Sequence, residues 1–272
     1  MKLLITGAQG FLGAVACERF RQGNHRVTAV GRRPAPGITV CDLANPAQLA
    51  VLLATDRPEV IVNCAARVDF GEGSLVRQLA PNTLAPGFMS VWCAQNGVHL
   101  VHCSTALIHG ARVAQVTADT PVAPDTDYGR SKTLAEELIA ASGCRAALIR
   151  IGGIFGARGS DHLGLNRAIR AAREGQRPRL VGRGVARRNY VHVDDAAKAL
   201  KTAVENNLAG VFRLAGAETL TMADMLQTIC DIYLPGLTPE QVQGPEAADQ
   251  LIDVSPELAP SRNFADALRS EV

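Results

Sequence analysis

Long apolar runs are missing from this 272-residue chain, and the longest cover only a handful of residues, too few to cross a bilayer. The chain runs from Met1-Lys2 straight into a glycine turn, so no secretory leader is expected. No C-x-x-C pair occurs among the seven cysteines at 17, 41, 64, 93, 103, 144 and 230. Odd in number and scattered, they read as small buried hydrophobes of a reducing cytosol, and a cytoplasmic protein is expected. The six histidines lack zinc spacing; His99 and His102 fall in a predicted strand, where three apart means opposite faces, so no metal site is expected. Strong charge is absent too, since a net +2 argues against nucleic-acid binding. Lysine is scarce: four of the 28 basic residues, the rest being arginine, whose planar fork suits phosphate. No repeat or low-complexity segment is found. What remains is a 47% hydrophobic chain that can bury a large core, as one cofactor-binding domain with a smaller appendage.

The stretch from Leu3 to Gly13 reads as strand, tight turn and helix start. Gly7 would let the chain leave the strand sharply, Gly10 would let a phosphate approach bare backbone, and Gly13 would let the helix lie close. Unpaired N–H groups and the partial positive charge of the new helix then face the turn, an anion site made of backbone. Leu12, Val15, Ala16 and Phe20 carry the helix to a break at Gln22-Gly23-Asn24, and His25 to Val30 is a second strand. Arg32 and Arg33 follow where a dinucleotide fold usually carries an acid for the ribose 2′-hydroxyl. Two guanidiniums would instead welcome a 2′-phosphate, which points to NADP before NAD; a solvated basic loop is the alternative.

Further strands are read at Ile38 to Cys41, ending in Asp42-Leu43, and at Val60 to Ala66, with a helix from Asn45-Pro46 through Leu53 between them. Continuous apolar strands alternating with helices predict an α/β fold with a Rossmann-type, doubly wound parallel sheet. Ala65 and Ala66 leave room for a flat ligand at the end of the fourth strand. A helix is predicted from Asn82 to Gln95, a strand from Val98 to Cys103 leading into Ser104-Thr105, a helix beginning around Tyr128 and ending near Ser142-Gly143, and a strand from Ala146 to Ile151. Beyond that come a helix from Asp161 to Glu174, strands at Arg179 to Gly182 and Arg188 to Val193, a helix from Asp194-Asp195 to Val204, a strand at Val211 to Leu214, and a helix through Tyr233 opened by the capping box Thr221-x-x-Asp224. The proline-rich tail offers little periodicity. The expected division is 1–152 with 186–211 as the dinucleotide-binding domain, and 153–185 with 212–272 as a small, interleaved substrate domain.

Tyr128 and Lys132 lie four apart on one helix and share a face. A neighbouring ammonium favours tyrosinate and would draw the phenol from about 10 towards working pH, making it a usable proton donor and acceptor. Thr105, at the carboxyl end of the fifth strand, could hold the carbonyl oxygen that Tyr128 protonates, although Ser-Thr at a strand end also suits turn chemistry.

In order along the chain, Thr6-Gly7-x-x-Gly10-x-x-Gly13, Asp42-Leu43, Asn63 to Ala66, Asn82, Ser104-Thr105, Tyr128-x-x-x-Lys132, Arg150 to Gly156 and Arg188 to Asp195 resemble the extended branch of the short-chain dehydrogenase/reductase superfamily, the NAD(P)-dependent epimerase/dehydratase family. Asp42 to Ala66 and His99 to Thr105 look most like dTDP-4-dehydrorhamnose reductases. The resemblance implies a catalytic set of Thr105, Tyr128 and Lys132, with Lys132 also on the nicotinamide ribose. It implies Gly7, Gln9, Gly10, Phe11 and Leu12 around the pyrophosphate, Asp42 and Leu43 at the adenine, Ala65 and Ala66 along the middle of the cofactor, and Arg188 and Ala106 at the substrate, Arg188 on its diphosphate. An ion pair with a nearby acid is the other reading of Arg188. Ala106-Leu107 stand where dehydratases of the branch carry Asp-Glu, so sugar dehydration is not expected; Gly152-Gly153 stand where rhamnose-type reductases carry Trp, and a chain short for the branch implies a reduced substrate domain. The expected activity is hydride transfer with NADP (NAD as the alternative) at a keto or hydroxyl carbon of a nucleotide sugar, possessed by a protein that pairs as a homodimer and binds neither membrane nor nucleic acid. The alternatives are a reductase of a non-nucleotide carbonyl compound and a catalytically silent dinucleotide-binding sensor or subunit.

Overall fold

Seven apolar segments, too short for helices and separated by amphipathic stretches, assemble into one sheet. The computed structural model describes residues 1–160 and 163–271. The strands are β1 (Lys2–Thr6), β2 (Arg26–Gly31), β3 (Ile38–Val40), β4 (Val60–Asn63), β5 (His99–Thr105), β6 (Ala146–Ile151) and β7 (Gly210–Leu214), in the order β7-β6-β5-β4-β1-β2-β3. Leu4 pairs with Ile61 and Thr28, and Ile61 with Leu100, all in parallel register. The reversal of winding between β1 and β4 leaves the carboxyl ends of both strands open to a ligand.

The helices are α1 (Phe11–Gln22), α2 (Pro46–Asp56), α3 (Ser74–Leu79), α4 (Ala85–Asn96), α5 (Asp127–Ser142), α6 (Gly164–Arg173), α7 (Val193–Glu205), α8 (Met222–Tyr233) and α9 (Phe264–Arg269). Asn45 starts α2 by accepting from the N–H groups of Ala47 and Gln48 at 3.0 and 3.2 Å, with Pro46 in the first turn. Leu4, Leu49, Leu53, Ile61, Met89, Leu100 and Leu148 are all buried together in the core of one sheet face.

Several elements depart from what periodicity predicts. The helix expected at Asn82 to Gln95 begins at Ser74, because a wide π turn at Ala80–Leu84 joins α3 to α4. Pro81 and Pro86 have no N–H to give, and the Ala85 N–H bonds to Ala80 five residues back. The strand expected from Arg188 to Val193 is broken: Arg187–Arg188 pairs antiparallel with Leu220–Thr221, and Val191–His192 pairs parallel with Ile154–Phe155. Between them the buried Asn189 amide closes on both main-chain groups of Ile252, at 2.8 and 3.1 Å. The helix start expected at Asp161 lies outside the described residues, and α6 runs from Gly164.

The chain forms two compact units. The first comprises Met1–Ala111, Pro121–Ile151 and Ala197–Phe212; the second comprises Arg112–Thr120, Gly152–Ala196 and Arg213–Val272. In the second, Phe155, Leu165, Ile169, Leu226, Ile229, Phe264 and Leu268 form the core, and its strands are two or three residues long. All seven cysteines are free thiols. Among the described residues no three metal-ligating side chains converge, and no helix is long and apolar enough to cross a membrane.

Candidate active site

The turn after β1 is built as its glycines require. Gly7 sits at φ +67°, the left-handed region, and a Cβ at Gly13 would lie 2.1 Å from the Gly7 carbonyl oxygen, so only glycine lets α1 begin this close to the turn. A Cβ at Gly10 would meet only the Gly7 oxygen, at 3.1 Å. Gly10 caps α1 without any side-chain hydrogen bond, and the first helical bond runs from Ala14 N–H to Gly10 O, so the N–H groups of Phe11 and Leu12 at the start of α1 are outside the helical ladder.

In front of this turn lies a groove of about 770 Å³, all within the first unit. Gly7, Gln9, Gly10, Arg32, Arg33, Asp42, Leu43, Ala65 and Ala66 line it, together with Arg67 and Arg77. Gln9 ties the turn to the basic loop: its amide donates to Arg33 O at 2.8 Å and accepts from Arg33 N at 3.1 Å. Arg32 and Arg33 are exposed, and neither guanidinium forms an ion pair among the described residues. Asp42 accepts from Ala44 N–H at 3.1 Å, closing the turn after β3. Asn82 holds the loop after β4 by accepting from Arg67 N–H at 2.7 Å and donating to Arg67 O at 2.8 Å. An uncapped helix N-terminus and a bare glycine wall fit the pyrophosphate of a dinucleotide.

Helix α5 carries Tyr128 and Lys132 in its first two turns. Thr126 caps it by accepting from Gly129 N–H at 3.0 Å, and Thr83 anchors it by donating to Ser131 O at 2.7 Å. Lys132 is fully buried, and its Nζ lies 3.0 Å from His102 Nε2 on β5. Burial lowers the ammonium to about 8, with Cys103, Glu136 and Cys64 opposing that fall. Tyr128 is half-buried, and burial, followed by the neighbouring Cys103, pushes its phenol up to about 12. The sequence expectation that Lys132 draws this phenol towards working pH is therefore corrected for this state. Lys132 is turned to His102, and desolvation decides the balance at Tyr128.

Thr105 accepts from Leu107 N–H at 3.2 Å, which caps the short 3-10 turn Ala106–His109 and leaves its own O–H to donate. Ala106 is buried in that turn. Arg188 belongs to the second unit, where Nη1 donates to the carbonyls of Arg187 and Ala248 at 2.9 and 2.5 Å, while the nearby Asp249 pairs with Arg187 at 2.8 Å. The ion pair with a nearby acid, the other reading of Arg188, is thus made by the preceding arginine.

Sequence reasoning missed the polar layer beneath the site. Glu136 accepts from Ser104 Oγ at 2.5 Å and from Arg150 at 2.7 Å, and Arg150 reaches His109 Nε2 at 3.3 Å. One available signal was that Glu136 follows Lys132 by four on the same helical face.

The NAD dependent epimerase/dehydratase family model matches residues 3–214, and the chain belongs to that family. It is 29% identical over 163 residues to the spore coat polysaccharide biosynthesis protein SpsK of Bacillus subtilis, a match covering 59% of this chain and 56% of the relative. It is 30% identical over 179 residues to dTDP-4-dehydrorhamnose reductase of Mycolicibacterium smegmatis, covering 62% of this chain and 51% of the relative. The chain thus spans about half the length of these curated relatives. In fold it matches the UDP-glucuronic acid 4-epimerase of Bacillus cereus, solved in complex with NAD, at TM-score 0.85 and 20% identity over 100% of this chain and 95% of that one.

Proposed function

We propose that the chain is an NADP-dependent oxidoreductase of nucleotide sugars, reducing a keto carbon to a hydroxyl. The observation that carries this reading is the placement, within one unit, of Thr105 at the end of β5 and of Tyr128 and Lys132 at the start of α5, with the Arg32-Arg33 groove in the same unit. When bound, the nicotinamide supplies the hydride. The first-turn N–H groups of α1 would hold the pyrophosphate, and Arg32 and Arg33 the 2′-phosphate. Tyr128 Oη gives the proton to the substrate oxygen, which Thr105 steadies through its hydroxyl, and Lys132 as ammonium favours the tyrosinate left behind. A phenol protonated at neutral pH is the state that a carbonyl reduction consumes, and the reductase named among the relatives supports reduction over epimerisation. The nucleotide sugar is supported by the names of the relatives.

The test is consumption of NADPH with dTDP- and UDP-linked 4-keto sugars. Tyr128→Phe is expected to lower turnover by about 100-fold or more while NADPH binding persists. Full turnover by that variant would reject the assignment. Exposed Phe88 and Val91 on α4 and Leu134 and Leu138 on α5 support pairing of two copies through these helices; sedimentation at a single-chain mass would reject it.

A further inference from the structure

A buried polar chain runs from the candidate active site back to the first strand, all inside the first unit. Lys132 Nζ faces His102 Nε2 at 3.0 Å; His102 Nδ1 faces Asn63 Nδ2 at 2.9 Å; Asn63 Oδ1 accepts from Thr6 Oγ1 at 2.5 Å; and Thr6 Oγ1 accepts from Ala65 N–H at 3.3 Å. Lys132, His102, Asn63 and Thr6 are each at most 1% exposed, so no water competes for these bonds. Ala65 lines the groove, so the chain links the lysine to the groove wall.

Proton counting restricts what this chain can hold. With Asn63 Oδ1 turned to Thr6, its N–H donates to His102 Nδ1, so the neutral ring carries its proton on Nε2. That proton points at Nζ, which can accept it only as a free amine. An ammonium at Lys132 needs the opposite arrangement: Nε2 accepting, the ring proton on Nδ1, and the Asn63 amide turned over to receive it. Nothing is oxidised or reduced in this exchange, and the lysine takes its extra proton from water.

We propose that His102 is a positioning residue for Lys132, its ring tautomer and the Asn63 amide switching together with the charge on Nζ. With Nε2 accepting one N–H of the ammonium, its other two are left for Tyr128 and the cofactor. The burial that lowers Lys132 to about 8 places this exchange in an accessible range, and Lys132 together with burial keeps His102 well below its usual value, so the ring stays neutral through it. The titratable groups facing the pair are Cys64 beyond β4, Cys103 on β5 and Glu136 on α5. The Cys103 contact and burial hold the Cys64 thiol well above its usual range, and Glu136 is paired with Arg150 at 2.7 Å.

The role in turnover rests on the reductase reading; the proton arrangement does not. The experiment is nitrogen NMR of the whole protein with ¹⁵N-labelled histidine between pH 6.5 and 9.5, the His102 signals being those absent from His102→Gln. The expected result is a neutral ring whose protonated nitrogen changes from Nε2 to Nδ1 as pH falls through about 8, and a fixed tautomer in Lys132→Met. A wild-type tautomer that never changes, or an imidazolium, would overturn the proposal whether or not a substrate is known. In turnover, His102→Phe removes the acceptor of the ammonium and should move the alkaline limb of the pH profile down by about one unit, while His102→Gln keeps it in place. An unmoved limb in a folded His102→Phe protein would overturn the positioning role even where the tautomer switches.

Discussion

The two units reach order by different means. In the first, strands of three to seven residues pair in continuous parallel register and bury apolar side chains on their faces. In the second, strands of two or three residues give little ladder, and side chains bonded to main chain take its place: Asn189 on Ile252, Arg213 on Asp253 O at 2.8 Å, and Ser255 Oγ accepting from Arg213 N–H at 2.9 Å. Arg262 adds a part-buried pair with Asp195 at 2.9 Å, and His192 Nε2 lies 2.9 Å from Glu271 Oε1. A ladder tolerates the loss of one polar side chain because its bonds are main-chain bonds; a fold pinned by individual amides and guanidiniums does not.

The largest effect should fall where the first unit relies on a buried ion pair. Arg150→Ala strands the buried Glu136 carboxylate and is expected to cost about 3–5 kcal/mol in urea unfolding. A cost under 1 kcal/mol would mean that the pair is solvated. Next, Asn189→Ala leaves two buried main-chain groups of Ile252 without partners, at about 2 kcal/mol. Amide exchange should then quicken at Leu251 and Asp253, which bond to Ala114 and Val116; unchanged exchange there would erase the contrast between the units. Thr221→Ala removes the capping box of α8 and should cost about 1 kcal/mol, read in the same unfolding curves.

The smallest effect is a drift with pH. His99 and His102, both in the first unit, are held below their usual 6.5 by burial. The unfolded chain therefore takes up protons first as pH drops below about 6.5, while the native state does not, and stability falls from there towards acid. Urea midpoints at pH 7.5 and 5.5 should differ in that sense, and a higher midpoint at pH 5.5 would contradict the assignment of buried neutral rings.

What the sequence made legible was local. The turn from Gly7 to Gly13, the Asn45-Pro46 and Thr221-x-x-Asp224 starts and the Tyr128–Lys132 spacing each lie within one turn or one helix face, where a short pattern fixes geometry. The π turn escaped because Pro81 reads as a helix start, which hides the continuation from Ser74. Asn189 looked like an ordinary strand residue, since its partner Ile252 is 63 positions away. His102 and Asn63 were invisible as a pair for the same reason: 39 residues separate them in sequence, and only the parallel register of β4 and β5 sets them side by side. Lys132 follows Tyr128 by four on α5, yet its charge depends on burial, which spacing alone does not reveal.

On the proposed function, the groove beside the glycine turn takes a phosphorylated dinucleotide through Arg32 and Arg33. Fluorescence titration of the purified protein with NADPH and NADH tests it most directly. NADPH is expected to bind at least tenfold more tightly, with the preference lost in an Arg32→Ala, Arg33→Ala double variant that still binds NADH. Equal affinity of the native protein for both cofactors would make the two arginines a solvated loop and contradict the NADP assignment.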